Sequence, residues 1–269
     1  AAYIFELDSS GWNQAQQLIP DDLSLQYNFG FSVDIHQNYI AIGAYNSSGN
    51  NTDNSGAVYM YKKENDTWVL DGQKIYPLDG KNGDRFGYSL SLSQSDKLYL
   101  LVGAYQHDLR KGAAYLFAKN ISSNSLSKET PIQKINSNTL SRTRSDNTVN
   151  KVKNKVFHPT DDWEQIHKFQ PSDLNSGDNF GYSVSIDEDH LVVGSPMASG
   201  ISKQTGAAYH YQKDSNGTWA QTNKLFSSNS KKHDQYGIKV VIESPNIYIG
   251  SSHFDGSNID FGRIHTYTY

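Results

Sequence analysis

The sequence has no cysteine among its 269 residues, so disulfides, cysteine-based zinc sites, iron–sulfur clusters and a cysteine nucleophile are excluded. Its hydrophobic runs are also short: one of the longest is Leu98–Val102, far below the ~20 residues that a membrane helix needs. Basic residues are not in excess, because 24 Lys and Arg face 28 Asp and Glu and the pI is about 6.1. We therefore expect no membrane insertion and no general binding of nucleic acid.

Sequence patterns for catalysis are missing as well. There is no Gly-x-Ser-x-Gly elbow, no glycine-rich phosphate loop and, among nine histidines, no zinc-binding spacing. The acidic pairs Asp21-Asp22 and Asp161-Asp162 are adjacent, whereas the two carboxylates of a glycosidase must flank a bond ~5 to 9 Å apart. We predict that these pairs lie in solvated turns and that the histidines are exposed in loops or strands. The sequence thus predicts no catalytic residue, no metal site and no cofactor.

An aromatic residue followed by glycine recurs along the chain and marks internal repeats. The pairs are Phe29-Gly30, Phe86-Gly87, Phe180-Gly181 and Tyr236-Gly237. A second glycine closes an apolar run 13 or 16 residues later, at Gly43, Gly103, Gly194 and Gly250. A third opens Gly-Ala-x-Tyr or a variant of it, at Gly56, Gly112, Gly206 and Gly262. All four tryptophans occupy one further slot of the repeat: Trp12, Trp68, Trp163 and Trp219.

Each repeat offers four short runs that are rich in Val, Ile, Tyr and Phe and alternate with polar residues. This pattern predicts β-strands separated by turns, and no stretch shows the 3.6-residue period of a helix. Four strands in about 56 residues is the size of one β-propeller blade. We therefore predict an all-β fold, a β-propeller of four-stranded antiparallel blades. Glycines would mark turns and close approaches, and the Trp and Tyr residues would pack between blades.

At the Phe-Gly and Gly-Ala pairs the units resemble FG-GAP repeats, the blades of integrin alpha-subunit propellers, and still more the short calcium-free bacterial and protist type. Integrin blades carry an Asp-x-Asp-x-Asp-Gly calcium loop between these two elements, but the equivalent segments here, such as Asp34–Asn38, lack its spaced carboxylates. Because a calcium ion needs about six to eight oxygen ligands, we do not expect calcium binding to carry over. The segment Asp255–Asp260 comes nearest to a cation loop and is predicted to be a plain turn.

The strands do not divide evenly into blades. Two predicted strands precede three complete blades and three strands follow them, which makes 17 strands, or about four blades and one extra strand. Three arrangements stay open: a small permuted propeller with a spare strand, an incomplete ring, and part of a longer repeat protein. A spare strand or an open edge favours pairing with another molecule, so head-to-tail assembly into filaments is one hypothesis.

The whole array is predicted to be a single unit over residues 1–269. One of its blade hairpins contains an insertion at residues 119–160. The insertion is rich in Ser and Asn and holds eight basic and two acidic residues, so the remainder of the chain is acidic. Long loops without secondary structure are either functional or disordered. We predict that this one is a solvated loop. A basic arm that docks on an acidic neighbour or a polyanion is the alternative.

Five Asn-x-Ser/Thr sequences are candidates for N-glycosylation, and all lie in predicted loops: Asn46, Asn50, Asn65, Asn120 and Asn216. Composition alone gives nearly that number, so their count does not indicate secretion. The first residues, Ala1–Leu7, show neither the basic nor the long apolar region of a signal peptide, which leaves a mature secreted chain open.

The leading functional hypothesis is a non-enzymatic, extracellular or cell-surface adhesion or structural module. It would bind a protein partner, or itself, through blade edges and loops, as the resemblance implies and as a chain occupied mainly by scaffold residues suggests. A carbohydrate-binding, lectin-like propeller is the alternative, favoured by the 18 tyrosines. An enzyme with a site at a central channel is the least favoured hypothesis.

Overall fold

The computed structural model describes residues 1–22, 24, 26–48, 54–121, 163–253 and 262–269. Within these ranges the chain forms 17 β-strands and one short helical turn, α1 (His107–Arg110). The strands lie in five antiparallel sheets that follow one another along the chain. The predicted all-β fold and its strand tally are confirmed, and α1 is the one departure from strands and turns in these ranges.

The first half of the chain contains a hairpin and two complete sheets. We call them the N-terminal hairpin, blade 1 and blade 2. Their strands are β1 (Ala2–Asp8) and β2 (Gly11–Leu18); β3 (Phe29–His36), β4 (Tyr39–Ala44), β5 (Ala57–Glu64) and β6 (Thr67–Leu70); and β7 (Ser89–Gln94), β8 (Leu98–Ala104), β9 (Ala113–Lys119) and β10 (Glu164–Phe169).

The second half contains a third four-stranded sheet, blade 3, and a three-stranded sheet, the C-terminal sheet. Their strands are β11 (Ser183–Asp187), β12 (His190–Ser195), β13 (Ala207–Lys213) and β14 (Trp219–Leu225); and β15 (Lys239–Glu243), β16 (Asn246–Ser251) and β17 (Arg263–Thr268). Neighbours in sequence pair in every sheet, so each is a simple up-and-down meander.

The core lies between consecutive sheets. The second strand of blade 2, Leu98–Ala104, is buried along its whole length, because blade 1 and blade 3 cover its two faces. Each joint between blades is closed by a Phe-Gly pair. Phe86 of blade 2 forms a parallel bridge with Gly56 of blade 1 and donates its N–H to the carbonyl of Ser55 at 2.9 Å. The same bridge recurs at the next two joints, between Gly112 and Phe180 and between Gly206 and Tyr236.

Each joint also requires a glycine at the end of the second strand. A Cβ on Gly103 would collide with the carbonyl oxygen of Gly181 in the next blade, and Gly43 and Gly194 are equally confined. The hydroxyl of Ser89 donates to the Gly181 carbonyl at 2.9 Å. The prediction that these glycines mark close approaches is therefore confirmed.

The prediction for the tryptophans holds only in part. Trp68 and Trp219 are buried against the preceding sheet, and Trp163 is partly buried. Trp12 is 70% exposed, so its predicted packing between blades is wrong. Trp12 lies in the N-terminal hairpin, which has no described sheet before it to pack against.

The blades are arranged as an open series. The first strands pack in order, β3 on β7, β7 on β11 and β11 on β15, and no comparable packing joins β15 to β3 in the part of the chain that the structure describes. All first strands begin, and all second strands end, at the same end of the sheets. We call this the Phe-Gly end. The turns between first and second strands and between third and fourth strands lie at the opposite end, the hairpin end.

The two strands that flank the basic insertion, β9 and β10, pair with each other, so β9 ends and β10 begins at the hairpin end. Of residues 119–160 only 119–121 are among those described, and Asp255–Asp260 lies outside the described residues altogether. The expectations for these two segments therefore stay predictions.

Candidate functional site

Five aromatic side chains come together at the Phe-Gly end, and we call them the aromatic cluster. Phe31, Tyr88 and Tyr182 each follow the Phe-Gly pair of blades 1, 2 and 3, whereas Tyr45 and Tyr105 each follow the Gly-Ala pair at the end of a second strand. Both positions lie at the Phe-Gly end of a blade, one before its first strand continues and the other after its second strand ends. The packing of neighbouring first strands therefore brings the five rings side by side.

The rings of the aromatic cluster are in direct contact. The Phe31 ring centroid lies 4.6 Å from that of Tyr45 and 4.8 Å from that of Tyr88. The Tyr88 ring in turn lies 4.5 Å from Tyr105 and 5.0 Å from Tyr182. Edge-to-face and tilted pairs at these distances are favourable because ring edges carry positive and ring faces negative partial charge.

Polar groups border the cluster. The hydroxyl of Tyr88 donates to that of Tyr182 at 3.0 Å, and the side-chain amide of Asn28 donates to the hydroxyl of Tyr45 at 2.7 Å. Burial raises the pKa of Tyr88, so its hydroxyl stays neutral at physiological pH. The amide of Gln106 donates to the hydroxyl of Tyr105 at 3.0 Å.

Arg85 places a positive charge at the same surface. Its guanidinium lies 5.5 Å from the centre of the Tyr45 ring, and its Nε donates to Gln106 at 3.4 Å. Arg85 immediately precedes a Phe-Gly pair and has a φ of 65°, in the left-handed region. Asn28 and Asn179, which tolerate that region better, stand at the same place in blades 1 and 3. The arginine is therefore not what the backbone prefers here.

The cluster is a surface rather than a closed cavity. Phe31 is 50% exposed, and the four tyrosines are half-buried. It ends at Tyr182, because Pro196 follows the second strand of blade 3 and Ile238 follows the Phe-Gly pair of the C-terminal sheet. Exposed ring surface, amides and a guanidinium can bind a ligand by stacking, hydrogen bonding and charge. The cluster contains no nucleophile paired with a base.

Comparison with known protein families identifies the repeat. The FG-GAP repeat family matches residues 12–61, 69–117 and 163–211, together more than half of the chain. The chain belongs to the FG-GAP repeat family. A search of curated proteins found no match. Each FG-GAP match runs from the last strand of one sheet to the third strand of the next and so contains one Phe-Gly pair. The C-terminal sheet lies outside the matched stretches.

FG-GAP repeats form β-propellers that usually belong to extracellular domains, and the family is typically non-enzymatic. The described helical turn is far too short and polar to cross a membrane. In the described part of this FG-GAP chain, no group of three or more His, Asp or Glu side chains is arranged to hold a metal ion.

One recurrent FG-GAP contact was missed by the sequence analysis. Asp22 lies in an exposed turn, as predicted, but its carboxylate also accepts hydrogen bonds from Tyr59 at 2.9 Å and Lys74 at 2.8 Å. The same contact recurs as Asp79 with Tyr115 and Lys168, and as Asp173 with Tyr209 and Lys224. The signal was present in the sequence, since a proline precedes each of these Asp residues by two positions, at Pro20, Pro77 and Pro171.

Among the eight histidines that the structure describes, the predicted exposure holds for His233 and His253; four others are half-buried and two are buried. His107 and His210 are each only 3% exposed. The Nδ1 of His107 lies 2.7 Å from Oδ2 of Asp84, which also accepts the backbone N–H of Lys81 and so braces the turn before the Phe-Gly pair. Paired polar groups remove the cost of burying an imidazole, and the spacing of residues along the chain does not reveal such pairs.

The candidate glycosylation sites divide between the two ends. Asn65, Asn120 and Asn216 are exposed at the hairpin end, at the connections between third and fourth strands of blades 1, 2 and 3. Asn46 lies at the Phe-Gly end and is half-buried, with its amide donating to Asn28 at 3.1 Å. Asn50 lies outside the described residues. Whether any of the five is modified stays a prediction.

Proposed function

We propose that this FG-GAP protein is a non-enzymatic extracellular module of the adhesion type and that it binds a protein partner through its Phe-Gly end. The observation that carries the proposal is the aromatic cluster with Arg85 beside it. Aromatic residues and arginine are enriched in the cores of protein interfaces, because they combine large apolar area with polar or charged groups.

The position of Arg85 supports the proposal. A non-glycine residue in the left-handed region costs roughly 1 kcal/mol, and such strain concentrates at functional sites. Blades 1 and 3 have asparagine at this place, and an asparagine instead of Arg85 would relieve most of that cost. A partner that presents an apolar group to Phe31 and a carboxylate to Arg85 would use both features of the surface.

The candidate glycosylation sites are consistent with this orientation. Of the four candidates among the described residues, the three exposed ones lie at the hairpin end, so glycans attached there would leave the aromatic cluster accessible. The strands that flank the basic insertion also end and begin at the hairpin end.

Carbohydrate binding is the second candidate function, favoured by one specific observation. The half-exposed rings of Phe31 and Tyr45 lie next to the amides of Asn28 and Gln106. The apolar face of a sugar can stack on such rings while its hydroxyl groups bond to neighbouring amides.

Arrays of extracellular-matrix proteins and of glycans test both candidates. We expect the wild-type protein to bind a defined set of spots, and the Arg85→Asn and Phe31→Ala variants to lose about tenfold or more in affinity for them, or at least 1.4 kcal/mol. Arg85→Asn uses the residue that blades 1 and 3 already have, so it should fold normally. Ser215→Ala, in an exposed turn at the hairpin end, is the matched control.

Protein spots would favour adhesion and glycan spots the lectin function. Binding that both cluster variants retain, or an absence of binding to either array, would contradict the assignment of the Phe-Gly end.

A further inference from the structure

The first strand of blade 1 has a face that nothing in the described chain covers. Val33 and Ile35 are 60% and 59% exposed. The corresponding residues of blade 2, Leu90 and Leu92, are 9% and 5% exposed, because blade 1 packs against them. Val33 and Ile35 of β3 are therefore exposed, although their counterparts in blade 2 are buried in the joint between two blades.

The N-terminal hairpin supplies only the outer half of the blade that would cover this face. Gly30 approaches the carbonyl of Ala1 in the way that Gly87 approaches the carbonyl of Ala57, which places β1 in the position of a third strand and β2 in that of a fourth. In a complete blade the third strand pairs on both sides, but β1 pairs with β2 alone among the described strands. A slot for a first and a second strand thus lies beside β1, against β3.

The C-terminal sheet carries the matching half of a joint. Its strands β15 and β16 are a first and a second strand, and Val241 on β15 is 45% exposed. The nearest atom to a Cβ on Gly250 would be 3.6 Å away, whereas the equivalent Gly43 is confined by the next blade. A shallow cavity lined by Ile238, Gly250 and Ile264 lies there.

The polar contacts of the two halves match at the centre of the first strands. Between blades 1 and 2, the Oδ2 atom of Asp34 accepts the N–H of Leu92 at 2.7 Å. In a joint between β15 and β3, Val241 would stand in the place of Asp34 and Ile35 in the place of Leu92. The N–H that would lose its carboxylate acceptor across the joint is therefore that of Ile35. That N–H is already bonded to Oδ1 of Asp34 at 2.9 Å, so an apolar neighbour leaves it satisfied.

The two ends of the first strands match as well. Asp187 accepts the N–H of Ser244 at 2.8 Å, and Glu243 stands at the position of Asp187, where it would meet the N–H of Gln37. Ser183 donates to the carbonyl of Gly237, and Lys239, also a donor, stands at the position of Ser183.

We propose that β15 and β16 of one copy fill the slot beside β1 and β3 of a second copy and complete a four-stranded blade, β15–β16–β1–β2. Phe31 lies on the same exposed face of β3 as Val33 and Ile35, so the slot reaches the aromatic cluster at that residue, whereas Arg85 lies at the joint between blades 1 and 2. The proposal rests on the uncovered face of β3 and not on the proposed function. It makes the partner a second FG-GAP chain of the same sequence.

The third-strand position is contested, and β1 is the better occupant. It has Ala1 and Tyr3 where the complete blades have Ala and a buried Tyr, whereas β17 has Arg263 and His265 there. Moving β17 aside exchanges its antiparallel ladder with β16 for one between β16 and β1, and it gives up the hydrogen bond between the hydroxyls of Tyr236 and Tyr267. Against this loss, the association gains the burial of Val33 and Ile35 against the incoming sheet. Because the contact is head-to-tail, it repeats and gives a ring or a filament.

Sedimentation velocity over a range of concentrations tests the proposal. We expect the wild-type chain to assemble as its concentration rises and the Gly250→Ala variant to stay monomeric. The new Cβ fits the free chain but would collide with the Gly30 carbonyl of a second copy. Ser215→Ala, in an exposed turn at the hairpin end and outside the proposed joint, should assemble like the wild type. Thermal unfolding shows that each variant is folded.

Mixing two variants shows whether a loss of assembly comes from damage to the joint or from unfolding of the chain. Val33→Lys damages only the β3 side and Gly250→Ala only the β16 side, so we expect each alone to be monomeric. An equimolar mixture should give a dimer and stop there, because one intact joint remains. A wild-type chain that stays monomeric, a Gly250→Ala chain that assembles, or a mixture without dimers would overturn the proposal.

Discussion

Glycines at the ends of the second strands set how closely two blades approach. We predict that Gly103→Ala destabilises the protein by about 1–3 kcal/mol or more, because the added Cβ meets the backbone carbonyl of Gly181 and a main chain cannot move aside cheaply. Gly250→Ala is the matched control, since in a single chain the nearest atom to its Cβ, the carbonyl oxygen of Lys239, lies at an ordinary contact distance of 3.6 Å. Urea unfolding of the two variants and the wild type measures the difference.

Equal stabilities for Gly103→Ala and Gly250→Ala would contradict this account of the joint. The repeated spacing was sufficient to predict that these glycines mark close approaches. It was not sufficient to predict the exposure of Trp12, which occupies the same slot as Trp68 but has no described sheet before it. Nor could it show Arg85 over the Tyr45 ring, since that contact joins two blades.

At the scale of elements, the joint between blade 3 and the C-terminal sheet differs from the other joints because a histidine, His210, is buried in it. His210 lies on β13 at the position that Met60 holds on β5 and Leu116 on β9. Its Nε2 lies 3.0 Å from Nδ1 of His190, and the ring of Tyr269, beyond β17, lies 4.1 Å from that of His190. This cluster fastens the C-terminal sheet to blade 3.

Acid should weaken this joint. Burial, reinforced by the neighbouring His190, lowers the pKa of His210, and burial also lowers that of His190 against the opposing effect of Asp189, Asp187 and Glu188. A histidine whose pKa is depressed in the folded state contributes stability that is complete above the unfolded value of 6.5 and declines as the pH falls below it. Thermal unfolding between pH 7.5 and roughly pH 5 should therefore show falling stability.

The variant His210→Leu separates this effect from general acid sensitivity. It places at the joint the residue that blade 2 already uses, and we expect a smaller loss of stability between the two pH values than in the wild type. An unchanged pH dependence would show that the His190–His210 pair is not responsible. The strands on both sides were predictable from alternating polarity, but the histidine pair was not, because residues 190 and 210 meet only through the pairing of β12 with β13.

At the scale of the whole molecule, the two ends of the array differ in accessible asparagines. In a eukaryotic secretory host we predict glycans on Asn65, Asn120 and Asn216 and none on Asn46, whose amide is half-buried and bonded to Asn28. Peptide mass spectrometry before and after enzymatic removal of N-glycans measures the occupancy of each site. Modification of Asn46, or an unmodified hairpin end, would contradict the proposed orientation.

The sequence allowed a closed ring, an incomplete ring or part of a longer array, and the structure shows the described sheets as an open series. Sequence could identify the repeats because each Phe-Gly joint has the same local chemistry. It could not decide on closure, which depends on the angle between successive blades and on whether β15 meets β3. That information lies in the joint geometry rather than in any single residue.

The most direct test of this architecture uses the lack of cysteine in the chain. If the two uncovered faces are halves of one joint, mixing Ile35→Cys with Val241→Cys chains under mild oxidation should give a disulfide-linked dimer, and mixing Ile35→Cys with Ser215→Cys should not. Equal cross-linking in both mixtures, no cross-linking in either, or an internal disulfide in a chain carrying both Ile35→Cys and Val241→Cys would contradict it.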